Sequence, residues 1–234
     1  MNSIIILHLY YEDLWDEFWE YLKPIISTTN RLIISLPEES IQLKNKLESI
    51  SDNIECKLVN NTGSDIRPFF IILKDLINSG ENIDIITKIH SKKSVHSPND
   101  FGTAWRKALY TDLLIHNAYL IEAMRSDTYV GMIAKKELFI YEPNDSPNFQ
   151  KEKAPIEKCL KLFNFNKELS YHYVTGTMFM VSMNYMKAIL SNTDIDAILT
   201  YLDVPHQQNS TIAHGIERIF GYGLTEYNKK IILI

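Results

Sequence analysis

Short apolar runs of strand length alternate with helical patterns through the first ninety residues, and this alternation constrains the fold more than any other feature. Residues 3–10, 31–36, 54–59 and 83–89 are rich in Ile, Leu and Val and too short for independent helices. Between them lie Leu14, Trp15, Phe18, Trp19 and Leu22, spaced as the inner face of a helix that ends before Pro24, and further helical stretches at 40–50 and 66–76. Such a chain folds as an α/β protein with a mainly parallel sheet, right-handed crossovers and helices on its faces. Ligands of such sheets sit outside the carboxyl ends of the strands, which directs attention to the residues that follow each run.

The second half is less regular. A helix is expected over 103–120, a strand over 128–133 and an edge strand within 227–234. Residues 135–167 are polar and contain prolines, so they read as an irregular excursion with a short helix at 156–163, suited to a lid or an acceptor-side insertion. Residues 171–182 read as one strand with Gly176 inside it, 195–201 as a short apolar segment, 203–210 as a polar loop and 211–220 as a helix.

The formal charge of −5 and a pI near 5.8 exclude a sequence-independent grip on nucleic acid, which needs a basic face. Cys56 and Cys159 have no metal-ligand spacing and are expected to be reduced. Neither a membrane-spanning run nor the basic start of a signal peptide is seen, so a cytoplasmic location is expected.

Chemistry-bearing residues collect after the strands. Lys88, His90, Ser91, Lys92 and Lys93 end the fourth run; the plainer alternative is a solvated basic turn. Asn61, Gly63, Asp65 and Arg67 follow the third, where Asp65 could simply cap the next helix. Arg106, near a helix start, opposes the helix dipole and so suits a nearby anion. Thr175, Gly176 and Thr177 place two hydroxyls beside a backbone position open to a ligand, or mark an ordinary bulge. His214 and Glu217, three apart, share a helix face, either as a surface pair or as a base with its orienting carboxylate.

In order, Asn61-Thr-Gly-Ser-Asp65-Ile-Arg-Pro68-Phe69, Lys88-Ile-His90-Ser-Lys92-Lys93-Ser94, Trp105-Arg106, Gly176-Thr177-Met178-Phe179 and Ala213-His214-Gly-Ile-Glu217-Arg218 resemble the rhamnan synthesis protein F family. That resemblance implies a single-domain, GT-A-like (Rossmann-like) glycosyltransferase of polysaccharide or O-antigen assembly. Residues 1–133 would form the nucleotide-sugar-binding half, 134–168 the excursion and 169–234 the acceptor-side half. Related folds often hold a divalent metal with an Asp-x-Asp element where this chain has His90-Ser91-Lys92-Lys93, so metal-independent transfer without a cofactor is expected.

Under the resemblance, Lys88, His90, Lys92, Lys93 and Arg106 would meet the donor diphosphate, while Asn61, Gly63, Asp65 and Arg67 would line the donor pocket. Thr175, Gly176 and Thr177 would border sugar or acceptor, and the base would be Asp203, His214 or Glu217. Asn209-Ser210 stands where the family pattern has an acidic residue and a glycine, which weighs against a base at 209. The implied partners are a nucleotide-sugar donor, a lipid-linked glycan acceptor at the inner face of the membrane and other glycan-assembly enzymes. A non-catalytic module that binds glycan or nucleotide sugar beside another transferase is the alternative.

Overall fold

The computed structural model describes residues 2–93, 99–165, 170–205 and 211–234, with backbone alone at 99–102, 105 and 106. Its first half follows the alternation: β1 (Asn2–His8), α1 (Trp15–Leu22), β2 (Asn30–Pro37), α2 (Ile41–Glu48), β3 (Ile54–Val59), α3 (Ile66–Ser79) and β4 (Ile83–His90). β1, β2 and β4 are buried at nearly every successive position, hence on both faces, and Ile4, Ile5, Leu7, Ile34 and Ile86 are fully buried, whereas the edge strand β3 carries the exposed Glu55. Leu14, Trp15, Phe18 and Leu22 enter the same core, as their spacing requires.

The expected helix at 103–120 is instead two helices, α4 (Asn99–Ile115) and α5 (Asn117–Ser126). The chain breaks where Asn117 turns inward. Its Nδ2 donates to Thr87 Oγ1 at 3.2 Å, and its Oδ1 accepts from Asn30 Nδ2 at 3.0 Å. β5 (Val130–Ala134) follows, then β6 (Phe139–Tyr141). The excursion is more regular than expected: α6 (Pro147–Leu162) is sixteen residues long, with Pro147 in its first turn and the Ser146 hydroxyl accepting from Phe149 N–H at 3.1 Å.

The expected single strand at 171–182 is two strands in two sheets. β7 (His172–Val174) pairs antiparallel with β6, whereas β8 (Phe179–Ser182) enters the main sheet. Positive φ at Gly176 (82°) and Thr177 (53°) turns the chain between them. α7 (Met183–Leu190), α8 (Ile195–Leu202), α9 (Ile212–Glu226) and the edge strand β9 (Lys230–Leu233) complete a single α/β unit.

The seven-stranded order is β3-β2-β1-β4-β8-β5-β9, parallel except for β8. β1 and β4 are therefore central neighbours, and their register sets His8 beside His90 at the carboxyl edge. Among the described residues, no helix is long and apolar enough to cross a membrane.

Candidate functional site

A cavity of about 560 Å³ opens at the carboxyl ends of β1 and β4. His8, Tyr10 and Tyr11 come to it from β1 and its following turn; His90, Ser91, Lys92 and Lys93 come from β4. The β3–α3 loop brings Asn61, Ser64 and Asp65, the β7–β8 turn brings Thr175, Gly176 and Thr177, and the first turns of α9 bring His214 and Glu217. Four sequence-separated stretches that carry candidate residues thus meet in one place.

Asp65 precedes α3 but makes no side-chain cap to it. Its Oδ2 instead accepts from the Lys88 ammonium and, at 2.5 Å, from the Thr177 hydroxyl. Burial opposes ionisation of this carboxyl, yet His90 and Lys88, with the hydrogen bonds from Lys88 and Thr177, hold it well below the usual carboxylate range. Lys88 is 1% exposed, and its Nζ also donates to Thr177 O and Oγ1, each at 3.0 Å. Phe69 and Phe179 rings lie 5.5 and 5.9 Å from the ammonium. Lys88 therefore lies beneath the cavity and does not line it.

His90 Nε2 lies 2.8 Å from Gly176 O and its Nδ1 3.2 Å from Ser91 O. Burial lowers its pKa, with Lys88 acting in the same direction against the pull of Asp65. Both partners are carbonyl oxygens, and Nε2 makes the shorter contact, placed to donate to Gly176 O. Burial likewise depresses His8 to about 4, and its Nδ1 sits 3.0 Å from Ser35 Oγ.

Lys93 is held by the Asp13 carboxylate and by the face of Tyr11 at 5.2 Å. Lys92 is half-buried in the wall; desolvation lowers its pKa, while Glu217 and Asp65 favour its charge. Glu217 Oε1 accepts from Gly176 N–H at 2.7 Å. Burial raises its pKa despite that bond and the nearby Arg218 and Lys92. The His214 Nδ1 pairs with Thr211 Oγ1 at 2.8 Å. The wall thus presents a carboxyl with raised proton affinity, an imidazole and two lysines to one space, a combination suited to moving a proton beside an anion.

Besides Lys88, three more candidates, Gly63, Arg67 and Asp203, lie off the cavity lining. Asp203 is exposed, accepts from Thr62 Oγ1 at 2.9 Å and faces Arg67 Nη2 at 3.5 Å. Gly63 N–H donates to Val204 O at 3.0 Å, so Gly63, Arg67 and Asp203 join the β3–α3 loop to the end of α8 beside the cavity, without lining it. Arg106 belongs to α4, but its side chain lies outside the described residues, as do Asn209 and Ser210. Sequence reasoning missed His8, Tyr10, Tyr11 and Ser64. The available signal was pairing: a central strand beside the one ending at His90 delivers its own end to the same crevice. Among the described residues, no three His, Cys, Asp or Glu side chains gather as a metal-ligand set.

Fold and site together define an α/β protein with a mixed-charge cavity at the carboxyl edge of its central parallel strands. The chain belongs to the rhamnan synthesis protein F family, whose model matches residues 2–229, and that membership places it in rhamnan or polysaccharide synthesis. No match was found among curated proteins.

Proposed function

We propose that this chain is a glycosyltransferase that moves a sugar from a nucleotide-sugar donor onto a growing cell-surface polysaccharide. The observation that carries the reading is the shared cavity wall, where Glu217, with its raised pKa, lies on the same space as Lys92 and Lys93. In the proposed step, the acceptor hydroxyl oxygen bonds to the anomeric carbon as the bond to the diphosphate breaks. Glu217 takes the hydroxyl proton, and the electron pair leaves on the diphosphate, whose charge Lys92 and Lys93 meet. His214 orients the acceptor. Lysine charge serves here in place of a divalent metal, and the acceptor is a lipid-linked glycan presented at the cytoplasmic face of the membrane, alongside other assembly enzymes.

Family membership and the position of the cavity support this reading. It is tested by a thermal-shift panel of UDP-, GDP- and dTDP-sugars, since a donor that binds only the folded protein raises its midpoint. The active donor is then assayed for transfer to a lipid-linked acceptor in excess EDTA. Transfer that survives EDTA is expected; loss restored only by Mn²⁺ or Mg²⁺ would overturn metal independence. Donor binding without turnover would identify a binding module instead, and no shift with any donor would remove the transferase reading.

A further inference from the structure

Two strained turns meet over Lys88. Gly63 and Ser64 have φ of 65° and 55° immediately before Asp65, and Gly176 and Thr177 have 82° and 53° between β7 and β8. Positive φ is costly for a β-branched residue such as Thr177 and persists only where the surroundings over-determine it. Here they do. The Thr177 hydroxyl donates to Asp65, while Lys88 Nζ donates to both the Thr177 hydroxyl oxygen and its carbonyl.

An ammonium has three protons, and Lys88 has three oxygen acceptors: Asp65 Oδ2, Thr177 O and Thr177 Oγ1. Its aromatic neighbours and its burial close the remaining approach. A phosphate could reach Lys88 only by taking a proton from a bond that holds the turn. The residue next to Thr177 shows what the turn controls: Gly176 donates its N–H to Glu217 Oε1 at 2.7 Å and accepts at its carbonyl from His90 Nε2 at 2.8 Å.

We infer that Asp65, Lys88 and Thr177 form a positioning clamp that fixes the Gly176 backbone and, through its N–H, the orientation of the Glu217 carboxylate, instead of binding donor phosphates themselves. This assignment rests on the proposed function only where it treats Glu217 as the base. Asp65 from the start of α3, Lys92 from the end of β4, Tyr173 from β7 and Arg218 from α9 itself are the charged and titratable groups that act on Glu217. Of the groups near Glu217, the Gly176 N–H is the backbone donor that stabilises its charged form. Loosening the clamp removes that donor, so Glu217 then keeps its proton to higher pH.

The test follows Glu217 by carboxyl ¹³C NMR on the whole chain without ligand, with Glu217→Gln assigning the signal. Thr177→Val is expected to raise the titration midpoint by about one pH unit, the scale of a lost hydrogen bond to a charged group. Thr177→Ser, which keeps the hydroxyl, is expected to leave it in place. In the unsubstituted protein the Gly176 amide signal is expected to move with the same midpoint, a measurement that does not depend on any variant folding. A folded Thr177→Val protein with an unmoved midpoint, or a Gly176 amide indifferent to Glu217, would overturn the clamp. Because no donor is present, a failed transferase assay would sink the proposed function and leave this result standing on its own.

Discussion

Arg218 and Glu142 meet through two parallel hydrogen bonds, Nε to Oε2 at 2.6 Å and Nη2 to Oε1 at 2.9 Å, with both side chains 5% exposed. The guanidinium lies 4.6 Å from the Tyr173 ring centroid and donates from Nη1 to His214 O at 2.8 Å. The pair therefore ties the helix that carries His214 and Glu217 to the residue after β6. Replacing Arg218 by Met strands a buried carboxylate, an expected loss of about 3–5 kcal/mol in urea unfolding. Arg218→Lys should recover little, because an ammonium cannot reproduce the two-pronged contact. Joint replacement of Arg218 and Glu142 by Met should restore most of the loss; a double variant as unstable as the single one would contradict this account.

Gly63 and Gly80 form a matched pair with nearly equal φ, 65° and 69°. A Cβ at Gly80 meets nothing within 4 Å, whereas one at Gly63 comes within 2.6 Å of Leu202 O and of Arg67 Cβ. Gly80→Ala should cost about 1–2 kcal/mol, the ordinary penalty for a left-handed residue with a side chain. Gly63→Ala bears that penalty and must also move backbone, so it should cost clearly more. Equal urea midpoints for the two variants would show that the joint between the β3–α3 loop and α8 is soft.

His8 adds a pH dependence. Burial is the first cause that lowers its pKa from 6.5 to about 4. The unfolded chain then binds a proton below pH 6.5 that the folded chain refuses until about pH 4, so stability falls as pH drops through that window and levels below it. Full expression of this difference is worth about 3 kcal/mol. His90 acts with the same sign, its pKa also being lowered by burial. His8→Asn should therefore flatten the pH dependence of the urea midpoint without abolishing it, and an unchanged slope would show that His8 does not carry the effect.

The strands of the first half were legible because each is a short segment rich in Ile, Leu or Val between turn residues; the expected 54–59 coincides with β3 even though Glu55 and Lys57 interrupt it. The split at Gly176 was not, since the residues on both sides have strand character and nothing local says that they join different sheets. α6 was obscured by its prolines: Pro147 falls in the first turn, which tolerates it, but Pro155 lies buried inside the helix, where local rules expect a break. At the site, strand ends identified His90, Lys92 and Lys93 as neighbours of one crevice. Asp65 shows the limit. Local rules make it a helix cap, but its carboxylate bonds Lys88 and Thr177, 23 and 112 residues away, and only tertiary structure reveals that competition.

Lys88 and Lys92, four residues apart on the same chain segment, should respond oppositely to removal of their charge. Lys92 lines the cavity, so Lys92→Met should weaken nucleoside diphosphate binding by about tenfold or more, as expected for loss of a charge-assisted contact, while the unfolding midpoint changes little. Lys88→Met should instead lower stability by about 2–4 kcal/mol, because it leaves the half-buried Asp65 carboxylate without its cation. Calorimetric titration with diphosphate beside urea unfolding separates the two effects, and a Lys88 variant that stays stable but loses diphosphate affinity would reverse the assignment.

In the proposed transfer Glu217, not Asp203, should take the proton, because Glu217 lines the cavity and Asp203 faces Arg67 outside it. Glu217→Gln keeps the side-chain shape but cannot accept the acceptor proton, so kcat should fall by about 10²- to 10⁴-fold with donor affinity nearly unchanged. Asp203→Asn should alter kcat by less than about threefold, since the residue does not line the cavity. The base must be ionised, and burial raises the pKa of Glu217 above its ordinary value, so kcat/KM should fall as pH drops through that raised pKa, at higher pH than an exposed carboxylate would give. A Glu217→Gln enzyme that keeps the acidic limb of the profile would move the base to another cavity residue, with His214 the next to test.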